Sequence, residues 1–265
     1  MSDELLWAVT DGPAGTAPVA LPEEGAAADA LRRHHDGAFW CSRQAGGCGG
    51  LLVLEVRNGA RPQFRHRDHA PCTFTGRQCD AGRAYEHLRY QRAVEAWLVG
   101  QGHRPRLRKT PGPDGRTGLY AVVDEISHAI VVQLAPLPDT AWRERDDHHR
   151  RRVRQVTWLY GPAAEAIGDT EVAVRGVAYS VRRHGVHLLV GVRGPDDRTR
   201  WVRLGACRLT AGGFEAPGTE EARALHASRA AERREAARRA ARCATGGARA
   251  GLRAGRAPSP LPFPQ

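Results

Sequence analysis

The sequence predicts an α+β fold built in sections, and three observations predict it. Four of the six cysteines and two histidines crowd between Phe39 and Cys79. A helical apolar period beginning near Ala81 runs on into two β-rich stretches joined by a short polar turn. From Glu171 to Thr210 the pattern turns to strands, ahead of an Ala/Glu/Arg-rich helix.

Taken in order, residues 1 to about 37 are rich in Ala, Gly and Pro and are expected to be only partly ordered. Residues 38–80 hold the cysteine module, with LLVLEV as a strand inside it. Tyr90, Val94, Trp97 and Leu98 fall at i, i+4, i+7 and i+8, one face of a helix that stops at Gly100-Gln101-Gly102. LYAVV and AIVVQL read as a hairpin around DEISH, PLPDTAWRERDDHHRRRV as a helix after its prolines, and QVTWLYG as a buried strand. These make a core section over 81–165. Turns at Arg183-His184-Gly185 and Gly194-Pro195-Asp196 predict a small antiparallel β region over 166–216. Residues 217–265 form an Arg-rich helix, expected over Glu220 to Arg242, and a Pro-rich tail.

At 265 residues the chain is long enough for a substantial core. The N-terminus lacks a secretory pattern and no run approaches a membrane span, so a cytoplasmic protein with reduced thiols is expected. Net charge is +11, and only Lys109 among the 40 basic residues is a lysine. From Ala216 on, ten arginines face four glutamates, a net +6 in the last fifth of the chain. Such a stretch suits either phosphates or plain solvation.

Cysteine and histidine clustered about a Gly-rich turn point to a structural zinc site, since Zn²⁺ takes four such ligands in a tetrahedron. Six candidates compete for four places: Cys41, Cys48, His66, His69, Cys72 and Cys79. Six residues separate Cys41 from Cys48, wider than a standard knuckle. Free thiols with surface histidines are the alternative, and a disulfide is the third option. Cys207 and Cys243 stand apart and read as buried or incidental. Asp146-Asp147-His148-His149 reads as a solvated helix face, and Tyr90, Trp97, Trp142 and Trp158 as core.

The order of FWC…CGG, RPQFRH, YEHLRYQ, RTGL, AIVVQL and VTWLYG resembles the competence protein CoiA family over about residues 38–161. The resemblance implies a zinc-finger-like segment joined to a restriction-endonuclease-like α/β/α core that acts on DNA. It also favours Cys41, Cys48, His66 and Cys72 as the zinc ligands, with His69 and Cys79 in reserve, because His66 matches the last histidine of the family's His-Phe-x-His.

A nuclease core of that kind holds Mg²⁺ with carboxylates on two neighbouring strands, because Mg²⁺ requires oxygen ligands. By the resemblance, Gly118 and Val131 stand where the two acids belong, while Glu86, Arg116 and Gln133 are retained. Asp124 and Glu125 lie six residues from these positions, about 20 Å along an extended strand. Asp139 follows two prolines beyond the second strand. No catalytic residue is therefore expected, and Mg²⁺ enters only if cutting survives through relocated acids. Arg116, Arg143, Arg145, Arg150, Arg151 and Arg154 are the expected nucleic-acid contacts, and without base-reading side chains DNA binding would be sequence-independent. An active metal-dependent nuclease and a protein–protein adaptor are the alternatives.

Overall fold

The computed structural model describes residues 5–57, 61–68, 72, 74, 81–111, 117–185 and 187–254, with side chains left out at 81, 83, 109–111, 117–119 and 243–254. The expected α+β architecture is present, with a five-stranded sheet, a seven-stranded sheet and a separate two-stranded hairpin.

The first sheet has five strands in the order β2-β1-β3-β4-β5: β1 (Trp7–Val9), β2 (Pro18–Ala20), β3 (Phe39–Trp40), β4 (Leu51–Glu55) and β5 (Gln63–His66). All its pairings are antiparallel, and a bridge from Leu5 to Phe64 curls it back on itself. Its core buries Leu5, Phe39, Leu52, Leu54 and Phe64, and α1 (Gly25–His34) adds Ala28. Residues 5–37, expected to be only partly ordered, supply β1, β2 and α1. The reason is visible in β1, whose Ala8 and Val9 are buried between two partner strands.

The second sheet has seven strands, in the order β12-β11-β10-β9-β8-β7-β6. Helix α2 (Ala81–Gly100) precedes β6 (Arg106–Pro111), β7 (Thr117–Val123) and β8 (His128–Gln133); α3 (Asp139–Arg150) then leads to β9 (Gln155–Tyr160). Strands β6, β7 and β8 form an antiparallel meander, and β9 runs parallel to β8. A sheet covered on both faces needs apolar residues at nearly every position, as these runs show. Ala121, Val123, Ile130, Val132 and Leu159 face α2, while Tyr120, Val122, Ala129, Val131, Trp158 and Tyr160 face α3.

The region beyond residue 166 differs from expectation in two ways. Residues from Glu171 on are expected to begin the strands, but Ile167–Arg175 is helix α4, closed by Gly176 at φ +81°. Strands β10 (Ala178–His184), β11 (His187–Arg193) and β12 (Thr199–Arg203) form no separate sheet, because β10 pairs in parallel with β9 and extends the core. The βαβ crossover through α4 makes that pairing possible, since parallel neighbours need a long connection. A hairpin of β13 (Arg208–Thr210) and β14 (Gly213–Glu215) covers part of the α2 face through Leu209 and Phe214. Helix α5 (Thr219–Ala254) runs further than the expected Glu220–Arg242. Among the described residues no helix is long and apolar enough to cross a membrane.

Candidate metal centre

The loop after β3, the end of β5 and Cys72 bring four side chains together. Cys41 follows β3, and its backbone N–H donates to Gly50 O at 2.9 Å while its carbonyl accepts from Gly49 N–H at 2.8 Å. The loop between them returns Cys48 to the same place. Gly49 has φ +79°, a left-handed conformation that favours glycine. At Gly47 a Cβ would stand 2.3 Å from Cys41 Sγ, so a side chain there would displace the thiol. His66 ends β5 opposite Leu52, and Cys72 closes the group from the following loop.

The ligand atoms of Cys41, Cys48, His66 and Cys72 all lie within 4.8 Å of one another. Cys41 Sγ and Cys72 Sγ are 3.6 Å apart, and Cys48 Sγ stands 3.2 Å from His66 Nε2. A tetrahedron with Zn–S near 2.3 Å has edges of about 3.8 Å, so the spacing fits a shared ion. It is far from the ~2.05 Å of a disulfide, and no disulfide joins Cys41, Cys48 or Cys72. Backbone N–H groups of Gly50 and Phe74 point at Cys48 Sγ and Cys72 Sγ, at 3.2 and 3.4 Å. Such donors orient and stabilise thiolate ligands.

Burial pushes the Cys41 thiol well above its ordinary value, reinforced by its sulfur neighbours. At Cys72 burial works in the same direction, but the Phe74 N–H and the adjacent thiols outweigh it and the net shift is downward. Burial lowers His66, favouring the neutral imidazole that ligates metals. Tyr85 braces the site from α2: its hydroxyl accepts from Ser42 N–H at 2.9 Å and its ring packs on Phe74. The four residues can hold a metal ion, and the donor set is compatible with structural zinc. His69 and Cys79 lie outside the described residues.

The other expected site residues are more scattered. Gly118 on β7 pairs with Thr110 on β6, and Val131 is buried among apolar neighbours on the α3 face. Gln133 is brought to α3, where its Oε1 accepts from Arg145 Nη1 at 3.3 Å. Glu86 and Asp139 are exposed, and Asp124 forms an ion pair with Arg106. Arg143, Arg151 and Arg154 are exposed. Arg150 donates through Nε to Asp146 at 2.8 Å. Arg116 lies outside the described residues. The Cys/His group is the one cluster of at least three potential metal ligands among the described residues.

Reading Asp146 and His149 as solvated is overturned. Trp142, Asp146 and His149 recur at i, i+4 and i+7 and form the buried face of α3. Asp146 accepts from Trp158 Nε1 at 2.8 Å, from Arg150 and from Arg175. His149 lies edge-on between Tyr120 and Trp158. The helical spacing from Trp142 was the signal available. Tyr90, Trp142 and Trp158 are buried, Trp97 is half-buried against the core, and Cys207 is buried.

No protein-family model, curated protein or solved structure matches this chain.

Proposed function

We propose that this is a CoiA-like nucleic-acid-handling protein that binds DNA without cutting it: a zinc-clamped module beside a restriction-endonuclease-like core that has lost its metal ligands. The helix–three strands–helix–strand order of α2, β6, β7, β8, α3 and β9, with its antiparallel meander and parallel last pair, supports the nuclease-like reading. The observation that carries the non-cutting part is Val131. It is 7 % exposed in an apolar cluster with Tyr120, Trp142 and Trp158, a setting that offers no oxygen to Mg²⁺.

Zinc is the metal best suited to three sulfurs and one imidazole. With all four places taken by protein it leaves no open position for chemistry. The ion would pin β3, its following loop and β5 together, and the three thiolates would be held in their charged form. DNA affinity rests on exposed arginines at and after α3, namely Arg143, Arg151 and Arg154. Their contribution is electrostatic and independent of sequence.

The test incubates the full chain with single- and double-stranded DNA in Mg²⁺ or Mn²⁺ and measures binding across a salt series. The reading expects salt-sensitive binding and intact DNA. Metal-dependent cutting that Asp139→Ala or Glu86→Ala abolishes would replace it with a working nuclease. Neither binding nor cutting would leave the adaptor reading.

A further inference from the structure

The core sheet is not closed along its whole length. Strand β9 begins at Gln155, but β10 pairs with it only at Leu159 and Tyr160. The first four residues of β9 thus have no partner on β10, and a cavity of about 210 Å³ occupies the gap. That is smaller than the ~300–1,000 Å³ of pockets for drug-sized ligands. It lies at the N-terminal ends of β8 and β9. Gln133, the retained residue of the nuclease-like reading, is at the other end of β8, five residues and about 16 Å away.

The lining is polar and cationic for a gap inside a sheet. Arg150, Arg175 and Arg223 come from α3, α4 and α5, and His128, Gln155 and Thr157 from the two strands. Arg150 gives Nε to Asp146, and Arg223 gives Nη1 to Glu220 at 2.8 Å. Each keeps further guanidinium N–H groups uncommitted among the described residues. Arg175 is held by Asp146 and Glu171.

The second observation is a buried polar group without a mate. His128 is 1 % exposed; its Nε2 meets Thr157 Oγ1 at 2.8 Å, while Nδ1 has no well-formed hydrogen bond although Gln155 lies beside the ring. Leaving such a group unsatisfied costs on the order of 1–3 kcal/mol. Glu171 is the one acid in the lining, and burial pushes it up to about 7 against the pull of Arg175; Asp146 and Glu220, which pair with the arginines, are not part of the lining.

We propose that this cavity binds a phosphate monoester, gripped by Arg150, Arg175 and Arg223 and contacted by His128 and Gln155. Three guanidinium groups around so small a volume suit a compact dianion with several acceptor oxygens better than a monocarboxylate. The phosphate comes either as a free small molecule or as the 5′ end of a nucleic-acid strand.

Calorimetric titration of the full chain separates these sources and tests the site. Inorganic phosphate, a 5′-phosphorylated dinucleotide and the same dinucleotide without phosphate serve as probes. Saturable one-to-one binding of a phosphate-bearing probe is expected. It weakens about tenfold or more in Arg223→Gln, the loss of one charged hydrogen bond, and stays unchanged in Arg239→Gln, farther along α5. Gln155→Leu should weaken it less. Preference for the phosphorylated dinucleotide over free phosphate assigns a strand end, and the reverse assigns a small molecule. Absence of saturable binding of either phosphate-bearing probe at millimolar concentration, with circular dichroism showing a folded chain, overturns the proposal and leaves a water-filled gap. Equal affinity in Arg223→Gln and Arg239→Gln overturns it as well.

Discussion

The small sheet and the large sheet bury their apolar residues by different means. The large one is covered on both faces and places Trp158, Tyr160, Ile130 and Leu159 among its fully buried side chains. The small one wraps a single core around Phe39, Leu52, Leu54 and Phe64, and its last contributors, Cys41 and Cys72, are themselves candidate ligands. A small core supplies little net stability after the entropy of ordering the chain is offset. A metal held by Cys41, Cys48, His66 and Cys72 would compensate by acting only on the folded form. The large sheet instead has a polar lock inside, in which Asp146 gathers Trp158, Arg150 and Arg175.

The sharpest way to break this contrast is to deny the Cys/His cluster a metal. Chelation, or Cys41→Ser, is expected to unfold the small sheet, given that structural zinc contributes on the order of 10 kcal/mol in small zinc domains. Hydrogen exchange should then show protection lost across β3–β5 and retained across β8–β9. Equal loss in both sheets would mean that they are not independent.

Next in size is Asp146→Ala, which strands the Arg150 and Arg175 charges and the Trp158 N–H. Urea unfolding should register a loss of about 3–5 kcal/mol, whereas Asp147→Ala, one residue on and exposed, should stay within about 0.5 kcal/mol. A smaller and graded effect is expected from acid. Burial lowers His128 and His149 to about 4 in the folded chain, from an ordinary 6.5. The unfolded chain binds more protons between those values, so their contribution is full above pH 6.5 and declines as pH falls towards 4. Thermal melts of the large sheet over that range should show the decline, and His149→Phe should flatten it.

The smallest change in stability should come from Arg143→Ala with Arg151→Ala, both exposed. Melting is expected to be unaltered, while the slope of log affinity for DNA against log salt falls by about 2, roughly one per lost phosphate contact. An unchanged slope would remove these arginines from the interface.

The parts visible in the sequence were those governed by local pattern. The period of Tyr90, Val94 and Leu98 marks α2, the apolar runs mark β7, β8 and β9, and the cysteine spacing marks the metal cluster. What stayed hidden depends on long-range geometry. Glu171 and Val172 read as strand because β-branched and apolar neighbours alternate there, but a parallel partner for β9 requires a crossover helix. Asp146 looked solvated because charge was read along the chain and not around the helix. The buried face becomes clear only when Trp142 is taken as its reference. The cavity beside β9 had no local signal, since it arises from where β10 starts to pair.

X-ray absorption at the zinc edge, on protein purified without chelators, bears most directly on the contrast between the sheets. The account predicts one zinc per chain with three sulfurs near 2.3 Å and one nitrogen near 2.0 Å, and loss of that signal in Cys48→Ser. A metal-free protein whose small sheet remains folded, or a shell dominated by oxygen, would contradict it.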